Sequence, residues 1–236
     1  MDFSWTTIII TILLIIIVYF IWTMLSSSST STVISSSQDA KTQTSIPIPS
    51  TSNNYTLAFS TWIYVTDWNV TPDVKPIISS STSVKTAGAA TPPNLQISLG
   101  DKTNVLRVAL NGGSSTTTIP DIPNIPLQTW VSIIVNVNNG ISADIYINGK
   151  LVQTTALLNT WKLTAGTIYV GSPQSFDGFI TMATYHNVPI GPQDAWDIYS
   201  SGYGSGGGSS VSDFFNKYKV RFAFVKDNVE LSRLDI

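Results

Sequence analysis

Trp130-Val131-Ser132-Ile133-Ile134-Val135-Asn136-Val137, followed by Asn138-Asn139-Gly140, Ile141-Ser142-Ala143-Asp144-Ile145-Tyr146-Ile147 and Asn148-Gly149-Lys150, decides the fold class. Val131, Ile133, Val135 and Val137 alternate with Ser132 and Asn136, the period of two that a strand needs to turn one face to a core and the other to water. Asn139-Gly140 and Asn148-Gly149 flank the second apolar run, and Asn-Gly tolerates the positive φ angles of a type I′ hairpin turn. Successive antiparallel hairpins are therefore predicted, with a buried face and a wet one.

Outward from this stretch the same pattern recurs. Residues 55–65, 94–99, 105–110, 167–170 and 179–185 read as strands, Leu95, Ile97 and Leu99 alternating with Gln96 and Ser98. Many short strands with almost no helical period predict an all-β antiparallel sandwich or jelly roll over residues 55–201. A unit of that size can bury nearly 70% of its unfolded surface, enough to dispense with disulfides. The chain has no cysteine to form them.

The hairpin from Trp130 to Val152 also resembles the central hairpin of laminin-G-like and concanavalin-A-like domains, in which a Trp opens one strand and a Tyr-x-Asn-Gly turn closes the next. Phe59-Ser60-Thr61-Trp62-Ile63-Tyr64-Val65 upstream fits the same order. So do Ile168-Tyr169-Val170-Gly171 through Phe176-Asp177-Gly178-Phe179-Ile180 downstream, and a closing segment from Asn187 to Gly202 that resembles a short terminal helix. The resemblance implies a concanavalin A-like jelly roll. Trp62 and Trp130 are expected to fill the space between its two sheets, with the Tyr146 hydroxyl near a polar partner.

Before the domain, Phe3 to Leu25 is apolar apart from Ser and Thr, and no residue from Phe3 to Gln38 is charged. As a helix these 23 positions reach roughly 34 Å, against a hydrocarbon layer about 30 Å thick. Trp5 at one end and Tyr19 and Trp22 at the other suit the two aromatic belts of a bilayer, and Ile10, Leu14 and Ile17 form its lipid-facing middle. The expectation is a single-pass transmembrane helix over residues 1–25. Of residues 26–52, 16 are Ser or Thr. That composition predicts a tether over 26–54, with too little apolar surface to offset ordering entropy.

After the domain, residues 202–210 read as a glycine-serine leash. In the tail, residues 211–236, Tyr218, Val220, Phe222 and Phe224 alternate with Lys219, Arg221 and Ala223. They predict one strand, which either adds to its own domain or pairs with a partner's sheet edge through these four residues.

Composition limits the chemistry. Twelve Lys and Arg against fourteen Asp and Glu, a net charge of −2, give no basic field for nucleic acid. Residues 55–201 contain no Glu, the only one being Glu230. Retaining glycoside hydrolysis needs two carboxyl groups about 5–5.5 Å apart, and no Asp pair is spaced along one predicted strand to supply them. Asp194 and Asp197 read as residues of a closing helical turn, and the lone His186 as a structural histidine. No enzyme activity and no cofactor are expected. Calcium is the possible exception, because the resemblance implies rim sites built from Asp, Asn and backbone oxygens, for which Asp101, Asn104 and Asp177 are conceivable ligands.

Two binding roles follow. An anchored jelly roll without cysteine resembles, in architecture, the minor capsid proteins of large DNA viruses with an internal membrane, such as chlorella viruses. That implies bilayer and capsid-protein partners within a virion membrane. The alternative is a lectin-like or adhesion module with a glycan partner, served by exposed aromatic residues among Trp68, Trp161 and Trp196.

Overall fold

The computed structural model describes residues 12–19, 31–47, 55–71, 73–80, 93–112, 115–164, 166–204, 221–226 and 229–235. Fourteen strands are named within them: β1 (Ser31–Asp39), β2 (Thr44–Pro47), β3 (Leu57–Asp67), β4 (Lys75–Ser79), β5 (Leu95–Leu99), β6 (Leu106–Gly112), β7 (Ser115–Thr118), β8 (Trp130–Asn138), β9 (Ser142–Ile147), β10 (Lys150–Ala156), β11 (Thr167–Val170), β12 (Asp177–His186), β13 (Arg221–Lys226) and β14 (Val229–Asp235). Two antiparallel six-stranded sheets form the sandwich, ordered β1-β12-β3-β8-β9-β10 and β2-β11-β4-β5-β6-β7. Odd-numbered residues of β3 and β8, among them Leu57, Phe59, Ile63, Val131, Ile133 and Val135, face Ile78, Leu95, Ile97, Leu99, Val108 and Leu110 of the other sheet in one continuous core.

Both Asn-Gly turns form as the sequence predicts. Asn139 and Gly140 have φ of 51° and 67°, and Asn148 and Gly149 have 51° and 73°, joining β8 to β9 and β9 to β10.

The tether is where structure and expectation part. Residues 31–39 and 44–47 are strands, β1 pairing with β12 and β2 with β11, so the chain enters one sheet and then the other before β3. An edge strand draws its stability from one row of backbone hydrogen bonds rather than from apolar burial, so a Ser/Thr-rich run suffices, and the β-branch of Thr favours extended backbone. Ala40, fully buried at the crossing, donates its N–H to Gly178 O at 2.9 Å and accepts from Ser172 N at 3.0 Å. Gly171 sits against this crossing at φ +72°, where a Cβ would lie 2.2 Å from Thr42 O.

The expected wet face of the central strands is also covered. Residues 192–201 form a helix, with Pro192 in its first turn and the Asp194 carboxylate accepting the Gly191 N–H at 3.2 Å. The helix packs on the outer face of the first sheet, where Ala58, Ile134, Tyr146, Ile190 and Ala195 make a second, smaller core. Buried Asn136 closes it with both ends of its amide: Nδ2 donates to Ile190 O at 2.5 Å and Oδ1 accepts from Ile190 N at 2.9 Å.

Trp62 and Trp130 belong to this outer face and not to the space between the sheets. They occupy even positions, and the intersheet side of their strands is taken by the odd ones. Trp161 is the tryptophan of the main core, 2% exposed, its Nε1 donating to Asn94 O at 3.1 Å.

Residues 12–19 are helical, and Leu14, Ile17 and Tyr19 are exposed. Among the described residues no helix is long and apolar enough to cross a membrane. Trp5, Ile10 and Trp22 lie outside the described residues. In the tail, the expected single strand is a hairpin: β13 pairs with β14, Phe222 opposite Leu234 and Phe224 opposite Ser232. Hydrogen-bonding partners within the tail satisfy one edge of β13, which neither sheet of the sandwich does. Tyr218 and Val220 lie outside the described residues.

Candidate functional site

Lys75 opens β4 between apolar Val74 and Pro76, and is 1% exposed. A buried ammonium is tolerable only when its protons are accepted. Nζ donates to Thr71 Oγ1 at 3.1 Å, Gly100 O at 3.1 Å and Asp101 O at 3.0 Å, and lies 4.3 Å from the centroid of the Trp68 ring. Burial pulls its pKa below the ordinary lysine value, partly opposed by the Asp101 charge. The side chain thus ties the turn after β3 to the turn after β5, and Trp68 Nε1 reinforces the tie by donating to Lys102 O at 3.3 Å.

A second set of bonds faces this pair of turns from the β1–β2 crossing and the start of β12. Lys41 Nζ donates to Asp177 Oδ1, and Asn69 Nδ2 donates to Asp177 Oδ2 at 2.5 Å. The Lys41 hydrogen bond is the main reason the Asp177 carboxyl is held below the usual carboxylate range. Gln174 Oε1 accepts from Ser172 Oγ at 2.8 Å, and Ser175 Oγ donates to Pro76 O at 2.5 Å. Between these groups lies a pocket of about 300 Å³ at one end of the sandwich, lined by Lys41, Asn69, Thr71, Asp73, Lys75, Gln174, Phe176 and Asp177 among others. Its size falls at the lower end of small-ligand sites.

The lining carries amides, ammonium groups and carboxylates whose charges offset one another, several of them already bonded to each other, and most of its exposed wall is apolar. A general acid acting at neutral pH needs a raised carboxyl pKa. The lining carboxyl of Asp177 is shifted down, and so, outside the lining, is that of Asp101, chiefly through hydrogen bonds from backbone N–H groups.

The conceivable calcium ligands do not converge. Asp101 faces Arg107 at 3.9 Å and lends its carbonyl to Lys75, Asn104 Nδ2 donates to Ile125 O at 2.9 Å, and Asp177 holds Lys41. Among the described residues no group of three or more His, Asp or Glu is placed to hold a metal ion. His186 meets Ser60 Oγ at 2.8 Å through Nε2, beneath the helix. Burial lowers its pKa to about 4, with Asp194 opposing. That Asp caps the helix, as the sequence suggests for the closing turn.

The tryptophans divide as follows: Trp161 is core, Trp68 backs the pocket, and Trp196 is 46% exposed on the helix. The pocket residues Lys41, Asn69, Lys75 and Gln174 escape a reading of the sequence. The one available signal is a lysine flanked by apolar residues in a β-run.

A laminin-G family model, described as the concanavalin A-like lectin/glucanases superfamily, matches residues 35–195. The chain belongs to that superfamily. The match begins inside β1, in agreement with the sandwich starting within the Ser/Thr-rich stretch. No curated protein matches the chain by sequence. Among solved structures, this lectin-like sandwich is similar to the receptor-binding domain of botulinum neurotoxin D, at TM-score 0.56 and 14% identity over 72% of this chain and 45% of that one. It is likewise similar to the binding domain of botulinum neurotoxin DC in complex with rat synaptotagmin II (0.53, 17%, 72% and 46%). A third is a structure of botulinum neurotoxin type C, whose cell entry is described as dependent upon interaction with two ganglioside molecules (0.50, 21%, 67% and 39%). The chain spans less than half the length of each, and at these identities the likeness is one of fold.

Proposed function

We propose that this chain is a non-catalytic, lectin-like recognition module that binds a neutral, hydroxyl-rich ligand, a glycan, in the rim pocket. The observation that carries the reading is the pocket's composition: a mutually bonded set, Lys41, Asn69 and Asp177 with Gln174 beside it, whose charges offset, borders an apolar wall that includes Phe176, on turns pinned by buried Lys75. Sugar hydroxyls both donate and accept, and a rigid, mixed set of partners suits them. The superfamily's lectin members, and neighbours described with ganglioside and protein partners, support a binding role. The virion shell suggested by architecture has no comparable observation behind it.

The residue 3–25 run anchors this module in a membrane on the same proposal. Deleting residues 1–25 is expected to release a folded sandwich from membranes under an alkaline wash; persistent sedimentation with the membrane would refute the anchor. For the pocket, glycan-array binding of the released sandwich should be abolished by Asn69→Ala and by Asp177→Asn at unchanged melting temperature. Binding that survives both substitutions would move the site elsewhere.

A further inference from the structure

The outer face of the first sheet carries aromatic side chains well beyond those the helix buries. Tyr64 lies directly across from Phe179 on one side and Trp130 on the other, so the three share one face. Tyr64 and Trp130 are tilted at 5.5 Å, and Trp130 stacks on Tyr203 at 4.5 Å and 12°. The row continues through Trp62, 6.2 Å from Tyr203. Phe179 and Tyr203 remain 46% and 48% exposed. Large rings left half in water on one contiguous face mark a surface that something covers.

Tyr203 is also where the chain leaves the sandwich, and the next described element is the hairpin β13–β14. The 16 intervening residues, 205–220, reach at most about 55 Å however they run, so the hairpin is tethered within reach of the aromatic face.

The hairpin itself is incomplete. Two strands alone are marginal in water, and β13 and β14 are bonded only to each other. Their register sets Phe222 opposite Leu234 and Phe224 opposite Ser232 on one face, with Arg221 opposite Asp235 and Val225 opposite Glu230 on the other. By sequence the first face carries Phe222, Phe224, Leu234 and Val229 with Lys226 at its turn end, and the second carries Arg221, Arg233, Asp235 and Glu230 with Ala223 and Val225. An apolar hairpin face and an uncovered aromatic sheet face lie on one short leash.

We infer that the C-terminal hairpin folds back onto the aromatic face of its own chain, docking by the sheet face on which positions 222, 224 and 234 fall. The hairpin is then a third layer of the sandwich, and any partner of the aromatic face must displace it.

The absence of cysteine makes disulfide trapping clean. Thr66, exposed two residues beyond Tyr64, and Ser232 are each replaced by Cys in the full chain, held in lipid nanodiscs and oxidised with copper phenanthroline. The control pair is Asp121→Cys with Ser232→Cys, Asp121 being exposed in the segment after β7, beside Arg107 of the other sheet. An intrachain link should form at least tenfold faster in T66C/S232C than in the control, and F222S/F224S should abolish the difference. Equal rates in both pairs would overturn the inference. So would links that run between chains, which would assign the face to the hairpin of a second copy.

Discussion

His186 offers a stability switch whose size can be worked out. Its Nε2 meets Ser60 Oγ beneath the helix, and burial sets its pKa at about 4 against an ordinary 6.5. The folded state therefore keeps the ring neutral at pH values where the unfolded chain already protonates it. Between those two values the unfolded state binds more protons, so stability rises with pH. The contribution is fully present above pH 6.5 and disappears as pH falls toward 4. Linkage gives a loss of about 2.5 kcal/mol between pH 7.5 and 4.5, from about 1.36 kcal/mol per pKa unit. At pH 4.5 the depressed carboxyls of Asp101 and Asp177 contribute little, since their unfolded counterparts are still mostly ionised. Urea titrations followed by tryptophan fluorescence at the two pH values measure the loss, and His186→Gln, which keeps a hydrogen-bonding partner for Ser60, should reduce it to under about 0.5 kcal/mol. If His186→Gln falls in stability with pH as steeply as the parent, the half-buried neutral histidine is not the source.

Two further substitutions test the packing. Trp161→Ala should cost about 3–5 kcal/mol by leaving a cavity in the main core, whereas Trp130→Ala, half-buried on the outer face, should cost only about 1–2 kcal/mol through lost ring stacking. Denaturant midpoints in the opposite order would return Trp130 to the core. Gly171→Ala should lose roughly 3 kcal/mol or more, because a Cβ at φ +72° would collide with Thr42 O. A melting temperature within a degree of the parent would mean that the β1–β2 crossing does not pack there.

The sandwich was legible because its central strands announce themselves twice, by alternation in Val131 to Val137 and by Asn-Gly turns whose positive φ the structure reproduces. Alternation fixes which residues share a face, but not what lies over that face. Ser132 and Asn136 look like solvent positions and are buried, because the chain from Ile190 into the helix, much farther along the sequence, settles on that face. The same blindness put Trp62 and Trp130 between the sheets: sequence shows a large aromatic in a strand, and only register shows the side. β1 and β2 were hidden for a different reason. Edge strands depend on backbone hydrogen bonds, and a run of Ser and Thr carries no hydrophobic period to reveal them. The rim pocket was least legible, since Lys41, Asn69, Lys75 and Asp177 come from four separate segments brought together by the topology.

The claim that the rim pocket recognises a glycan is tested most directly by screening the anchor-free sandwich on a glycan array in parallel with Asn69→Ala and Asp177→Asn, each with and without EDTA. The account predicts binding by the parent that neither calcium removal nor chelation alters, because Lys75 and Lys41 occupy the oxygens a cation would need, and loss of at least tenfold in both variants. Binding that requires calcium, or that persists undiminished in both variants, would contradict it.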